Sequence, residues 1–270
     1  MRTLIPDVFG DDAAPSADAE FQLFTRIRLP SGVHKTTEQR RLDDLNERAL
    51  RVLPSDRPLE LMDVAVSSAV TTVEWSEQLT AAGIDHHLLA GDSHIAAAWL
   101  SLPLCDFLLD GDRKRLLLAV VFGRSIDVLG SSWRSALVLP VLKALVLVSK
   151  AARVPMRPVE LVSPRVRGCP AIELVEDDIF VTPPDLRGRF HAVRAANILN
   201  ASYFDDARLR AAVASLRERL RPGGLLIVCR TLDADGSNHG SFLKADGDGW
   251  TVVDRIGDGS EIERLIAMSS

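Results

Sequence analysis

Residues 59–75 pass from a short apolar run into a segment whose apolar positions have helical spacing. The run contains Asp63 near its end, and the small residues of Ala65–Ala69 follow, with Thr71 or Thr72 as a candidate helix cap. A buried parallel strand that turns into a helix has this pattern. Because a small-residue turn before a helix N-terminus suits a nucleotide, the stretch predicts a nucleotide-binding element, although its turn lacks the usual glycines.

A second apolar run, His86–Asp92, also finishes in a carboxylate. A helical pattern that ends near Gly83 lies between the two runs, so the order strand, helix, strand predicts a right-handed βαβ unit. Asp63 and Asp92 are therefore expected at the ends of neighbouring strands. A ligand with hydroxyl groups, such as a ribose, binds at such ends.

The strand–helix alternation resumes after residue 170. Ala171–Phe180 and Phe190–Asn200 contain two further buried strands, and Leu225–Thr231 is a fifth, after the tight turn Arg221–Gly224. Two last apolar runs around a Gly- and Asp-rich turn predict a terminal hairpin and, with a short final helix, complete the chain. The predicted fold is α/β: a Rossmann-like, doubly wound, mostly parallel seven-stranded sheet with a terminal antiparallel hairpin.

Two segments lie outside this alternation. Residues 1–58 predict an N-terminal segment whose helix, capped by Thr36 or Thr37, either covers the sheet or forms a lid hinged near His34 and Lys35. Residues 95–158 predict an insertion into the Rossmann-like domain 59–270. Insertions near strand carboxyl ends usually shape the substrate pocket.

The insertion is expected to start with a short helix over Ile95–Leu104 and to continue as a hairpin or small meander. A long helix then follows, capped by Ser131 or Ser132 and kinked at Pro140, with an apolar stretch too short to span a bilayer. It is expected to be buried or to face a partner, which leaves a homodimer open. An interfacial membrane helix is the less favoured alternative, so membrane association is not expected.

Composition narrows the function further. A formal net charge of −5 argues against nucleic-acid binding, which needs a basic surface. The three cysteines are far apart, and no secretory signal opens the chain, so a cytoplasmic protein is expected. His86 and His87 would point to opposite faces of a strand, so no metal site is expected there.

Two segments resemble class I S-adenosylmethionine-dependent methyltransferases. Arg221–Thr231, RPGGLLIVCRT, is similar to the family's approach to strand five, and Phe190–Asn200 is similar to its fourth strand. The strand ends with carboxylates lie in the expected order. The resemblance covers Leu59–Asp92 and Ala171–Ile256, and it implies a Rossmann-like domain that binds S-adenosylmethionine.

The resemblance implies roles for residues of the first two strands. The turn with Ala65, Ser67 and Ser68 would face the amino-acid and sulfonium part of the cofactor. Asp92 would accept hydrogen bonds from the ribose hydroxyls, and Asp63 would be a second cofactor acceptor. The family usually has glycines in this turn, and each added Cβ restricts positive φ and close approach of the backbone.

The later strands would complete the site. Asp178 would take the exocyclic amine of adenine, with Ile179 or Phe180 against the ring. Asn197 would sit where strand four meets the methyl group and the substrate. Tyr203 would flank the sulfonium by a cation–π contact.

His239, in a predicted loop after strand five, is the candidate base for an acceptor that must lose a proton; a loop histidine without a catalytic role is the alternative. The sequence thus favours a methyltransferase for a small, partly apolar molecule. Two alternatives stay open: an enzyme that cyclises or eliminates the cofactor and releases methylthioadenosine, and a non-catalytic binding subunit.

Overall fold

A computed structural model of the protein describes residues 4–10, 15–29, 34–35, 38–54, 57–129 and 133–267. The candidate caps Thr36, Thr37, Ser131 and Ser132 lie outside these residues. The chain divides into two compact units, Met1–Glu38 with His94–Pro164 and Gln39–Ser93 with Arg165–Ser270. This division differs from the predicted boundaries, because most of the N-terminal segment belongs with the insertion.

The helices are α1 (Leu4–Phe9), α2 (Ala17–Phe24), α3 (Asp43–Val52), α4 (Val70–Ala81), α5 (Trp133–Ala151), α6 (Asp206–Arg219) and α7 (Ile262–Ala267). The strands are β1 (Leu59–Val64), β2 (His86–Asp92), β3 (Ala96–Leu102), β4 (Cys105–Asp110), β5 (Leu116–Val121), β6 (Arg124–Ile126), β7 (Arg157–Glu160), β8 (Ile172–Glu176), β9 (Phe190–Ala196), β10 (Leu220–Thr231), β11 (Asn238–Asp246) and β12 (Gly249–Ile256).

The larger unit, Gln39–Ser93 with Arg165–Ser270, holds a seven-stranded sheet in the order β12-β11-β10-β9-β1-β2-β8. The five strands from β10 to β8 are parallel, whereas β11 and β12 form an antiparallel hairpin on β10. The Rossmann-like sheet with its terminal hairpin is therefore confirmed. The carboxyl ends of the parallel strands meet at one edge, which positions the candidate site.

Alternate residues of these strands pack in two cores on opposite faces. Leu61 of β1 packs with Trp75 and Leu79 of α4 and with residues of α3. Its neighbour Met62 packs with α6 and α7 side chains such as Leu216. Helices on both faces make the sheet doubly wound, as a near-continuous apolar strand pattern requires.

The smaller unit, Met1–Glu38 with His94–Pro164, contains a five-stranded antiparallel sheet in the order β6-β5-β4-β3-β7. The predicted meander is confirmed as β4, β5 and β6, but the predicted helix over Ile95–Leu104 is wrong, since Ala96–Leu102 forms β3. Pairing of β3 with both β4 and β7 overrides the helical preference of its alanines. Helices α1 and α2 cover one face of the sheet and α5 the other.

Within the described residues, no helix is both long enough and apolar enough to cross a membrane.

Helix starts differ in part from expectation. Asp205 caps α6 by accepting a hydrogen bond from the Arg208 backbone N–H at 2.8 Å. Helix α4, however, has Ala69 at its N-cap, and the Thr72 hydroxyl donates to Asp63 at 2.7 Å instead of capping. The polar residues at this helix start therefore serve the strand before it.

Glu74 of α4 gives the larger unit a specific pH dependence. Burial raises the pKa of this carboxyl, which accepts the Arg40 backbone N–H at 2.9 Å. Because the folded-state pKa is the higher one, the folded protein binds the proton more tightly, and this stability is lost as pH rises through that pKa. Glu74→Gln keeps an acceptor and cannot ionise, so we expect the free energy of unfolding of the variant to rise relative to that of wild type as pH rises from 4 to 7. Urea unfolding across this range measures the difference, and a constant difference would contradict the assignment.

Candidate functional site

The turn between β1 and α4 takes a conformation that glycine usually supplies. Ala65, Ser67 and Ala69 have φ values of 56°, 56° and 58°, in the left-handed region. The Ser67 backbone N–H donates to Asp92 Oδ2 at 2.8 Å, and Val66 N–H donates to the Gly91 carbonyl at 3.2 Å. The end of β2 thus holds the turn in place, although each left-handed alanine or serine costs about 1–2 kcal/mol.

Replacing Ala65 by glycine is expected to raise the free energy of unfolding by about 1 kcal/mol, because the steric penalty of positive φ disappears. Ala81→Gly, at a right-handed position in α4, is the matched control and should lower it by about 0.5–1 kcal/mol. Chemical denaturation measures both. Equal losses in the two variants would show that the turn stores no strain.

Asp63 lies in a buried network. Arg194 of β9 contacts both of its oxygens, with Nε at 2.9 Å and a terminal nitrogen at 2.5 Å. The same guanidinium donates to Asn46 Oδ1 at 2.7 Å and to the Thr71 carbonyl at 3.1 Å, and it stacks 4.3 Å from the Trp75 ring centre. Both charged side chains are buried. Asp63 therefore ties β1, β9 and the first turn of α4 together.

Asp92 and Asp178 stand at neighbouring strand ends. The Asp177 backbone N–H donates to the Asp92 carbonyl at 3.0 Å, so Asp178 follows directly beyond this contact. A Cβ on Gly91 would lie 2.9 Å from the Asp177 Cβ, so only glycine permits this close approach of the two strands. The two chain segments that carry Asp92 and Asp178 thus lie side by side, and Asp178 Oδ1 accepts the Phe180 backbone N–H at 3.0 Å.

Arg219, for which the sequence pattern predicts no role, anchors the segment that carries Asp178. Its guanidinium is buried and donates to Asp177 Oδ2 at 2.8 Å and to the carbonyls of Asp178 and Val181 at 2.9 Å and 2.6 Å. The sequence gives little signal for this role, because Arg219 is the last residue of an amphipathic helix, directly before β10, and charged residues at such positions are usually solvated.

Aromatic side chains gather next to Asp178. Ile179 is buried, and the Phe180 ring lies edge-on to Phe204 with centroids 5.3 Å apart. Arg208 lies over both rings, 4.6 Å from Phe180 and 5.4 Å from Phe204. Tyr203 is exposed and contacts Phe204. The edge of the sheet therefore offers apolar ring faces and a cation.

Asn197 links the ends of β9 and β10. It has a φ of 60°, its Oδ1 accepts the Thr231 N–H at 2.7 Å, and its Nδ2 donates to the Thr231 hydroxyl at 3.2 Å. The side chain is thereby fixed at the carboxyl edge, in a conformation that asparagine tolerates better than most residues.

His239 lies within β11 and not in a loop, which corrects the prediction for this residue. Its Nδ1 accepts the Asp258 backbone N–H at 3.0 Å, and its Nε2 lies 3.3 Å from the Ser237 hydroxyl. It pairs with Arg230 of the neighbouring strand β10. Pairing of β11 begins earlier than the apolar pattern indicates, since polar residues also join a strand next to β10.

Ser68 carries a buried hydroxyl for which the described residues supply no hydrogen-bond partner. An orphaned buried polar atom is costly unless something binds to it. Its place in the turn at the carboxyl edge fits a polar group of a ligand. The residues of this edge therefore fit a cofactor that carries hydroxyl and amine groups.

Among the described residues, no group of three histidine, cysteine or acidic side chains is placed to hold a metal ion.

Comparison with protein-family models gives no match, and comparison with curated proteins gives none. Among solved structures, the chain is similar to the citrinin polyketide synthase CMeT domain (16% identity, TM-score 0.38), covering 70% of this chain and 34% of that one. It is also similar to a SAM-dependent methyltransferase from Aquifex aeolicus (10% identity, TM-score 0.38), covering 82% and 76%. A third is the Burkholderia thailandensis 1,6-didemethyltoxoflavin-N1-methyltransferase with bound S-adenosylhomocysteine (12% identity, TM-score 0.39), covering 85% of this chain and 65% of that one.

The chain spans about a third of the length of the first of these structures. The larger unit has a Rossmann-like fold by its own strand order, and the solved structures similar to the chain include S-adenosylmethionine-dependent methyltransferases.

Proposed function

We propose that the larger unit binds S-adenosylmethionine at the carboxyl edge of its parallel sheet and uses it to methylate a small, partly apolar molecule. The observation that carries the proposal is the turn 65–69. It keeps a glycine-type backbone with alanine and serine side chains, is bonded to Asp92, and carries the unpaired Ser68 hydroxyl. Strain of this kind persists only where surrounding structure maintains it, and it is concentrated at functional sites.

Different residues at the carboxyl edge of the sheet would bind different parts of the cofactor. Ala65, Ser67 and Ser68 would line its amino-acid and sulfonium part. Asp92, whose Oδ2 accepts the Ser67 N–H, would accept hydrogen bonds from the ribose hydroxyls. Asp178 would accept the adenine amine, with Ile179 against the ring. For Asp63, whose oxygens already accept from Arg194 and Thr72, we propose an indirect role in fixing the turn.

When bound, S-adenosylmethionine would supply an electrophilic methyl group. The chain's part is alignment, which contributes up to about 7–11 kcal/mol when reacting groups are held in line. Asn197, fixed by Thr231, and the exposed Tyr203 would orient the acceptor at the end of β9. Because Nδ1 accepts the Asp258 N–H, the neutral ring of His239 carries its proton at Nε2. Where the acceptor must lose a proton, His239 would therefore take it at Nδ1, once the contact with Asp258 opens.

The apolar rings of Phe180 and Phe204 support an acceptor that is partly apolar. Two other functions remain alternatives, namely cyclisation or elimination of the cofactor and a binding role without catalysis. The three side chains with positive φ favour the first of them, since each Cβ narrows the turn and alters how a cofactor lies in it.

Calorimetric titration with S-adenosylhomocysteine tests the proposal before any acceptor is known. We expect stoichiometric binding with a dissociation constant in the micromolar range, about −8 kcal/mol. No heat with either cofactor form would overturn the proposal and favour the non-catalytic role. Incubation with S-adenosylmethionine alone then separates the chemistries, because release of methylthioadenosine would indicate cyclisation or elimination.

A further inference from the structure

Helix α5 of the smaller unit exposes a broad apolar face. Its buried side, with Leu139, Leu142 and Val146, packs on the five-stranded sheet. On the other side, six large apolar side chains are 36–69% exposed: Leu137, Val138, Val141, Leu145, Leu147 and Val148. A surface helix normally turns polar residues to solvent, so a helix that is apolar on both sides needs a second covering surface.

The size of this α5 face matches a protein interface. Ala136, Pro140 and Ala144 are exposed between the larger residues and extend the face. The nine residues present roughly 700 Å² of apolar surface, close to the 800 Å² or so that each partner contributes to a standard interface. The largest apolar patch of an ordinary monomer is about 300–600 Å².

The charge pattern favours protein over lipid as the covering surface. Helix α5 carries three basic residues, of which Arg134 and Lys150 lie near its ends and only Lys143 lies within the apolar stretch 135–149. The whole chain carries a net charge of −5. Helices that lie on membranes usually combine an apolar face with many basic residues that attract anionic lipids. An uncharged, wide apolar face is instead typical of the core of a homodimer interface.

We propose that the α5 face is the interface of a homodimer, in which α5 of one copy packs against α5 of a second copy. The face is self-complementary, because leucine and valine side chains alternate with the small Ala136, Pro140 and Ala144, and a two-fold axis can pair protrusions with depressions. An antiparallel pair also sets the positive N-terminal end of each helix beside the negative C-terminal end of its mate. This inference does not depend on the proposed function.

Sedimentation velocity and light scattering of the full chain, at about 1–100 μM, test the proposal. We expect wild type at twice the monomer mass of 29.5 kDa. Val141→Glu and Leu137→Glu, each at an exposed position in the face, should weaken dimerisation at least 100-fold because a carboxylate would be buried without a partner. Val253→Glu, at an exposed valine of β12, is the matched control and should remain dimeric.

Circular dichroism would check that each variant keeps its fold. The oligomeric state of the wild-type protein tests the proposal without any variant. A wild-type monomer across the concentration range would overturn the proposal. So would a dimer that survives both glutamate substitutions. Flotation with vesicles of phosphatidylcholine and phosphatidylglycerol tests the alternative that the α5 face binds a membrane. A monomer that binds these vesicles through α5 would show that lipid, and not a second copy, covers the face.

Discussion

Arg194→Met is expected to lower the free energy of unfolding by about 3–5 kcal/mol, since it leaves Asp63 buried without its ionic partner. The Arg194 side chain is fully buried, and the Asp63 side chain is only 4% exposed. The variant also removes the donors to Asn46 and to the Thr71 carbonyl. Urea unfolding followed by tryptophan fluorescence and circular dichroism measures the loss.

Two further variants distinguish the effect of the unpaired buried charge from the effect of lost packing. Arg194→Met combined with Asp63→Asn removes both charges, and we expect it to recover about 2 kcal/mol of the loss. Arg230→Met removes a partly exposed arginine whose partner, Glu261, is 3.6 Å away, and it should cost less than about 1 kcal/mol. If the double variant were no more stable than Arg194→Met alone, packing against Trp75 would carry the effect.

The parallel sheet could be predicted because its strands are short apolar runs separated by helical patterns. Leu59–Val64 and His86–Asp92 are buried on both faces, so period and length identify them without knowledge of their neighbours. The hairpin β11–β12 was predictable for a similar reason, since Gly247 and Gly249 mark its turn. Helices and strands could be predicted from the sequence wherever their own residues show the pattern and the length of the element.

Elements that depend on distant partners could not be predicted in the same way. Ala96–Leu102 is apolar and alanine-rich, and only its pairing with β4 and β7 makes it a strand. The grouping of the N-terminal helices with the five-stranded sheet depends on side chains such as Phe24 and Leu108, which are far apart in the chain. Nothing in the local pattern of either segment specifies this contact.

For the candidate site, the positions of residues at the strand ends could be predicted, whereas most of their side-chain contacts could not. Asp92 and Asp178 could be placed at adjacent strand ends because parallel strands share an edge. The pairing of Asp63 with Arg194 could not be foreseen, since a buried arginine has no signature in a strand pattern. The left-handed backbone of Ala65 could not be foreseen either, because local sterics argue against it and the turn is held in part by hydrogen bonds to β2, which is distant in the chain.

Asp92 can be tested for two functions at once, holding the turn and binding the cofactor. Its Oδ2 accepts the Ser67 N–H at 2.8 Å, and in the proposed function the same carboxylate accepts hydrogen bonds from the ribose hydroxyls. Asp92→Asn keeps an oxygen for Ser67 but loses the charge. Asp92→Ala loses both, so the difference between the variants isolates the contact that holds the turn.

We expect Asp92→Asn to weaken binding of S-adenosylhomocysteine about 10-fold and Asp92→Ala at least 100-fold, since hydrogen bonds to a charged acceptor contribute about 1.5–3 kcal/mol. Asp112→Ala, at an exposed turn of the smaller unit, is the control and should bind like wild type. Calorimetry gives the affinities and thermal unfolding the stability. Because the Asp92 side chain holds the Ser67 N–H, alanine at residue 92 should also loosen the turn, with a lower unfolding temperature. Unchanged affinity in both Asp92 variants, with the expected loss of stability in the alanine variant, would restrict Asp92 to holding the turn and place the ribose elsewhere.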